Sequence, residues 1–134
     1  MLVILMKKIY EILTIFCVGL IGYPLLEILW RGYTHWSMAL TGGICFLTVY
    51  LIFNRFPKVT NWIKCLFGAL VITIIEFTVG CVVNLCLGWE VWNYAKFPGN
   101  ILGQVCPSFF LLWAILCVPI IYLSGLIRKT YFSS

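Results

Sequence analysis

The sequence predicts an all-α integral membrane protein: a four-helix bundle with both chain ends in the cytoplasm and a single transmembrane domain over residues 1–134. Composition is the first observation behind this prediction. Hydrophobic residues make up 63% of the chain and charged residues 10%, whereas about 25% of an ordinary soluble domain is charged. The second observation is that the few charges separate four long apolar runs. The third is that most Lys and Arg residues gather in one set of loops.

Each apolar run accounts for one membrane crossing, because a helix needs roughly 20 residues to cross the hydrocarbon core. The first run follows the basic pair Lys7–Lys8 and lacks a small-residue cleavage site, which favours a retained helix over a signal peptide. Runs 32–54 and 97–127 contain no Lys, Arg, Asp or Glu, and run 65–89 contains only Glu76. None alternates as barrel strands do, so the spans are helices. The predicted spans are residues 9–30, 36–53, 63–88 and 102–127.

The loop charges predict the orientation of these spans. Seven cations fall in the N-terminal segment, the second loop and the tail, and two fall in the other loops. The seven are Lys7, Lys8, Arg55, Lys58, Lys64, Arg128 and Lys129, and the two are Arg31 and Lys96. Because cytoplasmic loops carry an excess of Lys and Arg, both chain ends should face the cytoplasm. The net charge of +5 reflects this bias and attraction to membrane lipid, and it requires no nucleic-acid partner.

The sequence lacks the motifs typical of nucleotide hydrolysis, of serine hydrolases and of metal sites. It has no Walker A motif, no GxSxG, no HExxH and no Asp residue. Its seven cysteines form no CxxC motif and lie mostly within predicted spans, where Cys behaves as a small apolar residue. We therefore expect no metal site, no cofactor and no disulfide framework.

Charged residues inside or near the spans are candidates for function. Glu76 lies near the middle of the third span, where an ionisable group usually faces a partner, a cavity or water. It is either a proton- or cation-coupled site or a neutral carboxyl that hydrogen-bonds a neighbouring helix. Glu27 and Arg31 share a helix face, either as an interfacial ion pair or as a polar mouth for an anionic or zwitterionic ligand. Glu11, at helical spacing from Lys7 and Lys8, is expected to be a solvated helix end.

The segment between the third and fourth spans combines aromatic and amide side chains. The aromatic residues are Trp89, Trp92, Tyr94 and Phe97, and the amide residues are Asn84, Asn93, Asn100 and Gln104. An interfacial aromatic belt explains the first group. Amides beside it also suit a ligand site, because they donate and accept hydrogen bonds while aromatic faces suit an apolar or cationic ligand. In that interpretation Glu76, Asn84, Asn100 and Gln104 line the site and Trp89, Trp92 and Tyr94 form its outer mouth; Asn100 is also a candidate cap for the fourth helix.

The second half of the chain carries a distinctive series of short motifs. They are Glu76-Phe-Thr-Val-Gly80, Asn84, Gly88-Trp-Glu-Val-Trp-Asn-Tyr94, Pro98-Gly-Asn-Ile-Leu-Gly-Gln104 and Trp113. This series resembles the putative ABC-transporter type IV family of small bacterial membrane proteins. The resemblance implies a permease with a separate ATPase partner. Asn93 stands where the family pattern has aspartate, so a role that needs a carboxylate there is not expected in this chain.

The sequence is compatible with two functions. The first is a small-molecule permease or permease subunit. Because four helices can hardly enclose a transport path, it would act as a homo-oligomer or with a partner membrane subunit. The second is a non-transporting binding or regulatory protein that senses a lipid or ligand or assembles with a larger complex. An intramembrane enzyme is disfavoured, since the sequence offers no paired carboxylates and no nucleophile–base spacing.

Overall fold

The structure, a computed structural model, describes residues 1–132 and confirms the predicted all-α class. Within that range four helical spans are long and apolar enough to cross a membrane. The helices are α1 (Leu2–Arg31), α2 (Trp36–Arg55), α3 (Asn61–Gly80) and α4 (Pro107–Phe132). A π-helical stretch, the π segment (Cys81–Cys86), prolongs α3, so that the third span covers Asn61–Cys86. The chain between the π segment and α4, residues 87–106, is irregular and is called the 87–106 loop.

The turn between α1 and α2 follows from two local residues. α1 ends where Gly32 adopts a φ of 83°, and its backbone N–H donates to the Ile28 carbonyl at 2.8 Å. A left-handed residue after the last turn is common because glycine has no Cβ to oppose it. His35 then caps the start of α2, since its ring nitrogen accepts the Ser37 backbone N–H at 3.2 Å. The two spans are therefore joined by a short, well-capped connection.

The start of α4 corrects two predictions. The fourth span was expected from residue 102, but the helix begins at Pro107. Residues before it turn back on themselves, with the Ile101 N–H donating to the Val105 carbonyl at 2.9 Å and Leu102 in the left-handed region at φ 54°. The prediction that Asn100 caps this helix is also wrong, because its side chain bonds the 87–106 loop instead.

The chain forms two compact units, and unit 1 comprises Met1–Pro57 with the chain from Pro119 onward. In unit 1, α1 and α2 approach closely where Gly19 faces Gly42 and Gly43, and a Cβ atom at Gly19 would collide with the Gly42 carbonyl oxygen. Small residues permit such approaches between membrane helices. A buried apolar cluster lies beside this contact and comprises Ile15, Phe46, Tyr50 and Ile127.

Unit 2 comprises Lys58–Val118, which includes α3, the π segment, the 87–106 loop and the beginning of α4. The buried residues of α3 recur every three or four positions and so lie on one helix face. They are Cys65, Gly68, Ala69, Ile72, Glu76 and Gly80. Among these six residues, Glu76 carries the carboxyl group. The 87–106 loop packs against the carboxyl-terminal end of α3.

Glu11 overturns another prediction. Its spacing from the two nearby lysines suggested a solvated helix end, yet Glu11 is only 2% exposed. Its carboxylate accepts a hydrogen bond from the Tyr50 hydroxyl of α2. The prediction was wrong because local charge spacing along one helix does not show which side of that helix a second helix covers.

Candidate functional site

Glu76 and Tyr94 form a polar contact inside unit 2. Glu76 is 4% exposed, and Tyr94 of the 87–106 loop is also buried. The Tyr94 hydroxyl donates to Glu76 Oε2 at 3.4 Å, a long hydrogen bond. The backbone N–H of Tyr94 donates to the Gly103 carbonyl at 2.7 Å, which fixes the tyrosine in the loop. The loop thereby brings a phenol to a carboxyl near the middle of the third span, Asn61–Cys86.

An aromatic group adjoins this contact. The ring of Tyr94 stacks on Phe109 of α4, with centroids 4.5 Å apart and an interplanar angle of 15°. Phe97 meets both rings edge-on, at 5.7 Å from Tyr94 and 5.6 Å from Phe109. Trp113 continues the group one turn along α4, 6.0 Å from Phe109. Offset stacks and edge contacts of this kind stabilise aromatic clusters beyond their buried area.

Asn84 of the π segment organises the beginning of the loop. Its side-chain oxygen accepts the backbone N–H groups of Val91 at 2.7 Å and Trp92 at 3.3 Å. Its amide nitrogen donates to Gln104 Oε1 at 2.7 Å. The π-helical geometry, seen where the Leu87 N–H reaches the Val82 carbonyl five residues earlier, places Asn84 toward the loop.

Gln104 and Trp92 make further hydrogen bonds in the same network. The indole N–H of Trp92 donates to the Gln104 backbone carbonyl at 3.0 Å, and Trp92 is buried. The side-chain nitrogen of Gln104 donates to the Leu102 carbonyl at 2.9 Å. Gly80 makes room for both residues, because a Cβ there would lie 2.6 Å from Gln104 Oε1 and 2.9 Å from Trp92 Cζ2.

Asn100 braces the tip of the loop. Its side-chain oxygen accepts the Gly103 N–H at 3.0 Å, and its nitrogen donates to the Ala95 and Phe97 carbonyls at 3.2 and 2.9 Å. The amide groups of Asn84, Asn100 and Gln104 are thus engaged with the loop itself. Their geometry is that of a scaffold that holds Tyr94 in position.

The remaining candidates lie apart from this contact. Trp89 is 44% exposed at the start of the loop. Glu27 and Arg31 belong to unit 1, where they form a one-turn ion pair on α1. The Thr34 hydroxyl also donates to Glu27 at 3.3 Å, and the Arg31 guanidinium lies 4.4 Å from the centroid of the Tyr33 ring. This second polar group is compact and partly buried.

Sequence reasoning missed two sets of residues. Phe109 and Trp113 lie four positions apart on α4 and therefore share a face, a spacing that could have placed them beside the loop aromatics. Glu11 and Tyr50 were missed because 39 residues separate them, and nothing in either local segment marks the contact.

The contact in unit 2 has a defined chemical capability. A carboxyl group beside a phenol can hold and release a proton, and a carboxylate flanked by aromatic faces attracts an organic cation. A divalent metal would require more ligands, and the described residues contain no group of three or more His, Cys, Asp or Glu placed to hold one.

Comparison with known proteins gives one result. A family model described as putative ABC-transporter type IV matches residues 38–133. That range includes Glu76, the π segment, the 87–106 loop and the aromatic residues of α4. No curated protein and no solved structure showed a significant match.

Proposed function

Because the chain belongs to the putative ABC-transporter type IV family and is a multi-pass membrane protein, we propose that it is a small-molecule permease or a subunit of one. Its ligand would bind in unit 2 beside Glu76 and Tyr94. We assign no catalytic reaction to the chain. The expected location is the bacterial cytoplasmic membrane, with both chain ends in the cytoplasm.

The position of Glu76 is the observation that carries this proposal. A carboxyl at the middle of a membrane-long helix is unfavourable unless it has a partner or a role. Its hydrogen-bond partner Tyr94 is supplied by a loop that returns from the end of the span and is held by a separate amide network. A purely structural carboxyl needs no such arrangement, since a neighbouring helix can supply a donor directly.

The aromatic residues suggest the ligand class. Tyr94, Phe97, Phe109 and Trp113 form successive ring contacts beside a single carboxyl. Negative charge together with ring faces favours a small organic cation, or an amine that shares its proton with Glu76. Glu76 would then bind either the cation or a proton, so that binding of the cation releases the proton.

The amide residues would act on this site from a distance. Asn84, Asn100 and Gln104 hold the loop, and Trp92 fills the space between Gln104 and Gly80. The exposed Trp89 is proposed as an outer contact for this ligand. The Glu27–Arg31 pair of unit 1 is proposed as a separate polar group for an anionic or zwitterionic ligand. A homo-oligomer or a partner membrane subunit would complete the path, and a separate ATPase would supply energy.

A non-transporting sensor is the alternative, and the loop hydrogen bonds favour it. A loop whose amides are engaged in its own fold is suited to present a fixed recognition surface. Trp89 would be part of that surface. Under this alternative the ligand is bound but not released on the opposite side of the membrane.

Binding of tetraphenylphosphonium, an aromatic organic cation, tests the proposed site. We would measure its affinity for the full chain in lipid nanodiscs and its counterflow in proteoliposomes. Glu76→Gln removes the charge with little change in shape and should weaken binding at least tenfold, equivalent to about 1.4 kcal/mol. Tyr94→Phe should weaken it less, because the ring contacts remain.

Glu90→Gln is the matched control. Glu90 is an exposed carboxyl of the same loop, so its loss changes net charge equally but not the buried site. Equal affinities of wild type, Glu76→Gln and Glu90→Gln would contradict a ligand site at Glu76. Binding that depends on Glu76 without counterflow would favour the sensor over the permease.

A further inference from the structure

A second buried carboxyl lies in unit 1, where α1 begins and where α2 and α4 end. The Tyr50 hydroxyl of α2 donates to Glu11 Oε2 at 2.5 Å. Arg128 of α4 places a guanidinium nitrogen 3.9 Å from the same oxygen. Asn54 lies one turn beyond Tyr50 on α2 and so shares its helix face. Two helices, α2 and α4, thus supply polar groups around a carboxyl of α1.

The surroundings of this carboxyl differ on its two sides. Toward the middle of the helices it meets the apolar cluster, whose members Ile15 and Tyr50 are fully buried. Toward the helix ends the side chain of Arg128 is 53% exposed. Glu11 is therefore shielded from solvent itself, yet it contacts a group that solvent reaches.

The other charges near this end of unit 1 are positive and exposed. Lys7 and Lys8 lie one turn before Glu11 on α1, Arg55 ends α2, and Lys129 follows Arg128 on α4. The carboxyl is consequently the single acidic group among five cations on the described parts of these three helix ends. A metal cation is disfavoured there by Arg128 in particular, because two like charges a few ångströms apart repel strongly at low dielectric.

A proton is the cation that this arrangement can accept. When Glu11 is ionised, it accepts the Tyr50 hydrogen and is balanced by Arg128. When a proton from water binds the carboxylate, the group becomes neutral and its attraction for Arg128 ends. The guanidinium keeps its charge, so unit 1 gains one positive charge for each proton bound.

We propose that Glu11 is a proton-binding site of unit 1 that exchanges protons with the aqueous phase at the Arg128 end, with Tyr50 and Arg128 stabilising its ionised form. The proposal is independent of a ligand site at Glu76. It assigns a role to a carboxyl that the function proposed above does not use.

Carboxyl NMR of the full chain in lipid bilayers tests the proposal with few signals. The sequence contains four acidic side chains, all of them Glu, so side-chain 13C labelling of glutamate gives four carboxyl resonances. Glu11→Gln identifies the Glu11 resonance by its loss. We expect that resonance to shift reversibly when the pH of the aqueous phase is changed.

Two further variants keep Glu11 and test its partners. Arg128→Gln should move the Glu11 midpoint upward by about one pH unit, because a cation within 4–6 Å favours the ionised form of a carboxyl. Lys129→Gln is the matched control: it removes the same charge one residue later and should leave the midpoint unchanged. Tyr50→Phe should also move the midpoint upward, since it removes a donor to the carboxylate.

Two outcomes would overturn the proposal. One is a Glu11 resonance that stays constant over the whole pH range. The other is an equal response to Arg128→Gln and Lys129→Gln. Since Glu76→Gln should leave the Glu11 titration unchanged, failure of this site and failure of the site in unit 2 are observed separately. If Glu11→Gln does not fold, Glu27→Gln, Glu76→Gln and Glu90→Gln identify the other three resonances and leave that of Glu11 by elimination. The Arg128 and Lys129 variants then decide the question.

Discussion

The amide of Asn84 joins the π segment to both ends of the 87–106 loop. Its oxygen accepts two backbone N–H groups and its nitrogen donates to Gln104, so a short side chain serves three partners. Buried hydrogen-bond donors left without an acceptor are costly in any low-dielectric setting. The position of Tyr94 beside Glu76 consequently depends on a residue whose hydrogen bonds go to other parts of the loop, at Val91, Trp92 and Gln104.

Replacement of Asn84 by Ala should lower the free energy of unfolding by roughly 1–3 kcal/mol, because it removes the side-chain oxygen that accepts the Val91 and Trp92 N–H groups. Thermal unfolding in detergent micelles measures the change. Asn93→Ala is the control, since Asn93 is exposed and bonds only the nearby Ala95 N–H in the loop described here. The role assigned to Asn84 is wrong if both variants unfold at the wild-type temperature.

At this scale the sequence is informative about residue type and less so about contacts. Glu76 could be singled out because a charge in the middle of an apolar run is conspicuous. Glu11 could not, because the residues that bury it lie 39 and 117 positions away in Tyr50 and Arg128. Asn84 and Gln104 could be identified as candidate ligand-binding residues, but the hydrogen bond between them, across 20 residues, could not be predicted.

Among the elements, the helices were the most predictable and the 87–106 loop the least. Apolar runs of roughly 20 residues between charges leave few alternatives to a spanning helix. The beginning of α4 was misplaced because residues 102–106 carry no charge and continue the uncharged run into the helix, and the turn that separates them from it depends on hydrogen bonds within the loop. Composition cannot distinguish an apolar loop from an apolar helix end.

The contact of α3 with the loop gives a prediction at this scale. Gly80→Ala should destabilise the loop by roughly 1–3 kcal/mol, because its Cβ would overlap Gln104 and Trp92 and one of them must move. Acrylamide quenching of tryptophan fluorescence should increase as Trp92 is displaced.

Gly22→Ala is the corresponding control in α1, where a Cβ would meet no atom within 4 Å among the described residues. It should be neutral or slightly stabilising, since alanine favours a helix. Equal quenching of Gly80→Ala and Gly22→Ala would mean that α3 does not support Trp92 as described.

For the whole molecule, the charge asymmetry makes a prediction about topology. Reporter fusions that are active only in the cytoplasm should be active at both the N-terminal and the C-terminal end. A fusion inserted after Gly88 or Gly99 in the 87–106 loop should be inactive. A C-terminal fusion on the opposite side from the N-terminal one would contradict four crossings.

The division of the chain has a consequence for the order of biosynthesis. Unit 1 is discontinuous, since it takes its first part from Met1–Pro57 and its last from the chain beyond Pro119. Chains emerge from the ribosome N-terminus first. All of unit 2 is therefore synthesised after α1 and α2 and before Ile127 and Arg128. Until then Glu11 has Tyr50 but no guanidinium, and the apolar cluster lacks Ile127. Unit 2 can therefore complete its fold before unit 1, although unit 1 is started first.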